Sequence, residues 1–279
     1  MPWIVGCFRV EKDFWVTPEN ALEYADRMGE FLGAQLERSG MAGYVLGLSG
    51  GIDSAVCAYL CQRAGINPYL MVMPYGKAMD GSDASARVAE IIADLRLEKR
   101  SLCVDIELAC KGAEVRRDRH IWQFSNSSPH AKANLKLAEG SRRTRQRMLE
   151  LSDFAQTHRL LVLDTVNLDE YLLGHFIGYD NSVGSVQPLR QCLKSEVYLL
   201  GATLGVPESV LKAAPSSELS TGQTDEAYFG FSYEAFDTFI RNNGSCGDAE
   251  VDAKIANRYI TSQHKRNAPP IFKGYGQTF

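Results

Sequence analysis

The sequence has no apolar run long enough to cross a bilayer, and residues 1–10 offer neither the basic start nor the apolar stretch of a secretory signal. A cytoplasmic protein is the expectation. Excess positive charge is also missing: 34 acidic residues against 30 Lys and Arg leave a net charge of −4. That balance argues against non-specific nucleic-acid binding as the main business. The seven cysteines are odd in number and show no tight repeat, which suits a reducing compartment better than a disulfide framework. Cys57 and Cys61 stand one helical turn apart, but no His or Cys lies at zinc-site spacing, so both read as small core residues. What remains is a chain of 279 residues, 45% hydrophobic and 23% charged. It can fill the core of one large α/β domain or of a domain with a small appendage.

Two phosphate-binding signatures are absent as well. No Gly-Lys-Ser/Thr follows a glycine at Walker A spacing, and Gly-x-Gly-x-x-Gly does not occur. What is present is the stretch Tyr44-Val45-Leu46-Gly47-Leu48-Ser49-Gly50-Gly51-Ile52-Asp53-Ser54. An apolar run suited to a buried parallel strand enters Ser-Gly-Gly, and a helical pattern begins at Ala55. The first N–H groups of such a helix have no internal partner and favour an anion, and the glycines let the backbone approach it. Ser49 and Ser54 add hydroxyls; Asp53 beside a phosphate calls for a divalent cation between them. Gly47-Leu48-Ser49-Gly50-Gly51 also satisfies the Gly-x-Ser-x-Gly nucleophile elbow, with a permitted triad order Ser49, Asp164, His264. A plain structural turn is the third reading.

Before this stretch, residues 1–16 read as a short strand or irregular start. Thr17-Pro18 opens a helix with Thr as N-cap, and Leu22, Ala25, Met28, Leu32 and Leu36 share its face up to Ser39-Gly40. After it come a helix closed by Gly65, a strand at 69–73 and a helix from Ser82 or Asp83 through Leu95. Ala84, Val88, Ile91 and Leu95 face inward there. A strand at 101–106 and a short helix at 107–115 follow. Residues 116–138, basic and without periodicity, read as a mobile connection, or as a loop that orders over an anionic substrate. A helix from Gly140 carries Arg145, Met148 and Leu151, and a strand at 160–163 ends in Asp164-Thr165-Val166-Asn167. The alternation of strand and helix predicts an α/β doubly wound parallel sheet with helices on both faces. Its ligand belongs beyond the carboxyl ends of the strands, among the 49–54 loop, Pro74 and the 164–170 turn.

Further on, Glu170 reads either as a metal ligand in that crevice or as a solvated helix carboxylate. Leu193, Val197, Leu200 and Leu204 form an amphipathic helix ending at Gly205, with Lys194 at its start pointing at phosphate or at water. The tail from Gln263 clusters His264, Lys265 and Arg266 before two prolines, a pattern that usually marks a solvated basic tail.

Taken together, these residues resemble the ammonia-dependent NAD synthetases over nearly the whole length. Ser49-Gly50-Gly51-Ile52-Asp53-Ser54 is similar to the pyrophosphate loop of the N-type ATP pyrophosphatases. Met73-Pro74-Tyr75, Arg145-Gln146-Arg147-Met148, Thr165-Val166-Asn167-Leu168-Asp169-Glu170, Leu193-Lys194-Ser195-Glu196, Pro215-Ser216-Ser217-Glu218 and His264-Lys265-Arg266 follow in that family's order. The resemblance implies one adenine nucleotide alpha hydrolase-like domain over 1–279, with a C-terminal helical extension and a substrate-covering tail at 262–279. It implies ATP at Gly47, Ser49, Gly50, Gly51, Ile52, Asp53, Ser54, Met73, Thr165, Lys194 and Ser216, with Asp53, Thr165 and Lys194 catalytic. Mg²⁺ would sit at Asp53 and Glu170, and the carboxylate substrate at Arg145, Asn181, Ser185, His264 and Lys265. The implied activity is an AMP-forming ligase that amidates deamido-NAD with free ammonia, since no glutaminase domain is present, and the implied assembly is a homodimer.

The departures cluster away from the phosphates. Asn181 and Ser185 stand where that family usually has acidic groups, Ser141 where it has Asn, and Asp164 where it has Gly. An Asn in place of Asp keeps the shape but removes a charge and adds donors. The alternative expectation is therefore a divergent relative that acts on a different carboxylic acid.

Overall fold

A computed structural model describes residues 15–76, 83–120, 129–177, 184–214 and 225–267 of the chain. Four parallel strands, β1 (Gly43–Gly47), β2 (Tyr69–Val72), β3 (Ser101–Cys103) and β4 (Leu160–Val162), lie in the order β3-β2-β1-β4. β1 pairs with β2 in the register Val45 to Tyr69 and with β4 in the register Gly43 to Leu160. The chain therefore steps from β1 outward to β3, then returns to the other side of β1. The gap between the carboxyl ends of β1 and β4 is the point where strand order reverses, and in such sheets that is where ligands bind.

Both faces are covered, as a parallel sheet requires. Tyr44 and Leu46 of β1 and Leu70 and Val72 of β2 share one core with the helices α1 (Ala21–Ser39), α2 (Ile52–Arg63) and α3 (Asp83–Leu95). Val45 and Met71 point the other way, against Cys110 of α4 (Glu107–His120) and Leu151 and Ala155 of α5 (Pro129–His158). The doubly wound expectation holds.

Past β4 come α6 (Leu168–Leu172), α7 (Lys194–Leu204), α8 (Glu208–Leu211), α9 (Asp225–Phe229), α10 (Tyr233–Arg241), α11 (Ala249–Thr261) and α12 (Gln263–Arg266). A third core, with Phe229, Phe231, Phe236 and Ile255, seats this helical extension against Leu168, Leu172 and Leu193. α7 lies directly on α2: a Cβ on Gly201 would come within 2.8 Å of Ile52 Cδ1.

Several sequence expectations need correction. Thr17 and Pro18 form a turn ahead of α1: Ala21 N donates to Thr17 O, and the helix starts after Asn20. Its inner face uses Ala21 rather than Leu22, which is 50% exposed. α2 begins at Ile52, three positions before Ala55, because the chain turns helical immediately after Gly51. β2 and β3 end sooner than expected, at Val72 and Cys103. The described residues of 116–138 are helical rather than loop: α4 runs through His120 and α5 starts at Pro129. A stretch without apolar periodicity gave no sign of helix, because that pattern reports one buried face. The expectation for residues 1–14 lies outside the described residues, as do Asn181 and Ser216.

Candidate active site

The site begins with the loop after β1. Gly50 takes φ +78, and a Cβ there would lie 2.8 Å from the Ala84 carbonyl oxygen, so glycine is required on both counts. The loop is held by its own hydroxyls. Ser54 Oγ donates to Gly51 O at 3.0 Å and accepts from Ser49 N at 3.2 Å; Ser49 Oγ accepts from Gly51 N at 3.2 Å. These bonds stiffen the turn that presents the α2 N-terminus. Gly51, the N-cap, has no side chain to satisfy the first N–H groups, which leaves them for a ligand.

Asp53, in the first turn of α2, is gripped from two other elements. Asn167 Nδ2 donates to its Oδ1 at 2.8 Å, and Lys194 Nζ lies 2.6 Å from its Oδ2. Asn167 in turn caps α6: its side chain accepts from Glu170 N, while Glu170 Oε2 accepts from Asn167 N, a capping box. Lys194 is the first residue of α7 and is 4% exposed. Burial opposes its charge, but Asp53 and then Glu170 outweigh that and hold its ammonium above the usual lysine range. Leu193, ahead of it, cannot cap α7 with its side chain. Asp169 Oδ1 accepts Lys194 N at 3.2 Å, and Glu196 Oε2 accepts Leu193 N at 2.8 Å. Burial, and then Asp237, push the Asp169 carboxyl well above the ordinary aspartate range.

These elements surround a cavity of about 370 Å³ at the carboxyl ends of β1 and β4. Of the expected ATP, metal and catalytic residues, Gly47, Ser49, Gly51, Ile52, Asp53, Ser54, Met73, Thr165, Glu170 and Lys194 line it, and Gly50 sits behind its wall. Lys194 points at Asp53 rather than at water, and Glu170 is a half-buried cap rather than a solvated carboxylate. The expected substrate residues are more scattered. Arg145 is exposed and outside the lining, where Arg147 takes its place with Nε on Met73 O at 3.0 Å. Ser185 Oγ accepts from Val162 N at 3.2 Å. Lys265 Nζ donates to Gly174 O and Phe176 O, both at 2.8 Å, and Arg266 Nη1 to Leu172 O at 2.7 Å. The basic tail is therefore strapped to the end of α6 instead of being solvated. His264 remains exposed, with Nδ1 3.1 Å from Thr261 O.

The hydrolase triad is not assembled. Asp164 Oδ1 accepts Val166 N and Oδ2 accepts Gln187 Nε2, while His264 bonds within its own turn and does not line the cavity. Sequence reasoning missed Asn167, Asp169, His175, Arg87 and Arg147 as site residues. Only Asn167 carried a local signal, the Asn-x-x-Glu of a capping box.

A β1–glycine turn–α2 unit faces a capped α6 and a buried lysine across a switch-point cavity, an arrangement chemically suited to an anionic ligand. The family model described as NAD synthase matches residues 24–269. The chain belongs to the NAD synthase family. The NH(3)-dependent NAD(+) synthetase of Mannheimia succiniciproducens is 35% identical over 250 residues, covering 88% of this chain and 94% of that protein. Among solved structures, an NMN synthetase from Francisella tularensis superposes with a TM-score of 0.80 at 27% identity, covering 93% of this chain and all of that one (100%). The NH3-dependent NAD synthetase from Campylobacter jejuni superposes at 0.69 with 26% identity, covering 91% and 99%. NAD synthase family membership makes the protein an enzyme of the ligase type and accounts for the adenine nucleotide alpha hydrolase-like arrangement of sheet and helices.

Proposed function

We propose that this NAD synthase family member adenylates the carboxylate of deamido-NAD with ATP, releasing pyrophosphate, and that ammonia then displaces AMP to give NAD. The observation that carries the reading is the convergence of the α2 N-terminus, the Asp53–Lys194 pair, Thr165 and Glu170 on one cavity. A substrate carboxylate oxygen bonds to the α-phosphorus as the bond from that phosphorus to the bridging oxygen breaks, and the electron pair leaves with pyrophosphate. Ammonia adds to the acyl carbon and AMP departs. The chain's part is alignment and neutralisation. The N–H groups at the start of α2, after Gly51, and the Lys194 ammonium face the charge that grows on pyrophosphate, and the Thr165 hydroxyl adds a donor.

Asp53 and Glu170 are the residues that would hold Mg²⁺. Among the described residues no group of three or more His, Cys, Asp or Glu forms a protein-only cage, which suits an ion that takes its remaining ligands from phosphate and water. Bound there, Mg²⁺ would neutralise the triphosphate. A homodimer belongs to the same reading, supported by Leu108 and Val115 of α4 and Leu149 of α5, which are 84%, 52% and 52% exposed. A cytoplasmic location is supported by the free state of the described cysteines. A single domain over 1–279, a tail at 262–279 closing over substrate, a substrate contact from Asn181 and an ATP contact from Ser216 remain part of the proposal.

A second reading has one observation behind it: the Francisella tularensis neighbour is an NMN synthetase, which makes the corresponding mononucleotide acid the competing substrate. Initial rates of AMP formation with the two acids in parallel decide between them. The proposal expects the higher kcat/KM with deamido-NAD; a reversed preference assigns the mononucleotide.

A further inference from the structure

Arg87 lines the cavity, yet the reaction described above gives it no task. It lies on α3, one turn past the helix start, and lines the same cavity as Lys194. Its Nε donates to the Gly50 carbonyl oxygen at 2.8 Å. α3 is pressed against the loop at that point: a Cβ on Gly50 would meet Ala84 O at 2.8 Å and Val88 Cγ2 at 3.2 Å. Behind it, Val88, Ile91 and Leu95 are buried in the core. The backbone that carries Arg87 therefore has little room to shift relative to the loop.

A guanidinium has five N–H donors, and the bond to Gly50 uses one of them. No carboxylate among the described residues pairs with Arg87. A half-buried cation, anchored by its inner nitrogen and without a counter-charge among the described residues, presents the outer fork of its guanidinium beside a turn suited to phosphate. That fork matches two phosphate oxygens at once.

We propose that Arg87 is a further substrate-binding residue, which grips the β- and γ-phosphates of ATP and then the departing pyrophosphate. The inference rests on the adenylating reading above. As the bond to the α-phosphorus breaks, negative charge moves onto the pyrophosphate oxygens, and Arg87 meets it from the α3 side while Lys194 meets it from the α7 side. AMP, which keeps only the α-phosphate, has no use for Arg87.

The test is product inhibition of the full-length enzyme by magnesium pyrophosphate and by AMP, in wild type, Arg87→Gln and Arg87→Lys, with thermal melts to confirm folding. Gln keeps a donor for the Gly50 carbonyl but no charge; Lys keeps the charge without the fork. The expected result is pyrophosphate inhibition weakened about tenfold or more in Arg87→Gln. Arg87→Lys should fall between that variant and wild type, and inhibition by AMP should stay unchanged in both. Pyrophosphate inhibition unaltered in Arg87→Gln overturns the proposal. Equal weakening of AMP and pyrophosphate also overturns it, since Arg87 would then be only a latch for the loop. A wild-type enzyme that neither product inhibits speaks against the adenylating reading itself, not against Arg87 alone.

Discussion

Lys194 Nζ and Asp53 Oδ2 meet at 2.6 Å although 141 positions separate them, and both side chains are largely withdrawn from water. The contact joins the N-terminal ends of α2 and α7, which Gly201 allows to pack closely. Removing one partner strands the other charge. Lys194→Met is expected to cost about 3–5 kcal/mol of stability and to lower turnover by about 10²–10³. The double variant Asp53→Asn/Lys194→Met should recover part of the stability and none of the turnover. Denaturant titration together with AMP release separates the two effects.

Asn167 has two tasks, capping α6 and orienting Asp53. Asn167→Ala should therefore cost about 0.5–2 kcal/mol through the lost cap. Because Asp53 would also lose its second anchor, the magnesium concentration at half-maximal rate should rise in this variant. Magnesium titration of the initial rate measures it; a destabilised enzyme with unchanged magnesium dependence would reduce Asn167 to a cap.

The doubly wound parallel sheet and the glycine turn after its first strand were legible because the alternation of strand and helix and the turn residues are written locally, whereas the strand order was not. Tyr44 to Leu48 reads as a buried strand, and Gly50-Gly51 can only be a turn. Boundaries failed where local signals misled: Thr17-Pro18 looks like a cap but forms the preceding turn, and the exposed Leu22 cedes its place to Ala21. The polar run before Gly140 hid the first turns of α5. The site was half legible. Asp53, Glu170 and Lys194 could be picked out, but the pairing of Lys194 with Asp53, and the binding of Lys265 to Gly174 and Phe176, join distant segments that spacing cannot connect.

Gly50 is the loop's narrowest point. Gly50→Ala places a methyl group 2.8 Å from a backbone oxygen at φ +78, and the left-handed backbone alone costs about 1–2 kcal/mol. A lower melting temperature and loss of the stabilisation that ATP gives the wild type are both expected. Thermal melts with and without ATP and magnesium check this.

Asp237, buried near Glu196 and Asp169 and partly offset by Ser195 and Arg241, has its carboxyl pushed up by burial from the ordinary 3.8 to about 6. The folded state thus binds this proton more tightly than the unfolded chain. The stability it contributes is fully present below the unfolded value and is lost as pH rises through about 6. Asp237→Asn has no such loss, so its stability relative to wild type should climb across that window and level off above it. Denaturant midpoints for both proteins from about pH 4 to about pH 8 read the slope; a difference independent of pH contradicts it.

The central claim is that a carboxylate attacks the innermost phosphorus of ATP. The direct measurement uses deamido-NAD labelled with ¹⁸O in the reacting carboxylate, with ATP, magnesium and ammonia, and mass spectrometry of the nucleotide products. The account predicts one labelled oxygen in AMP for each NAD formed, with unlabelled pyrophosphate. Label in orthophosphate accompanied by ADP, or NAD formed with unlabelled AMP, would contradict it.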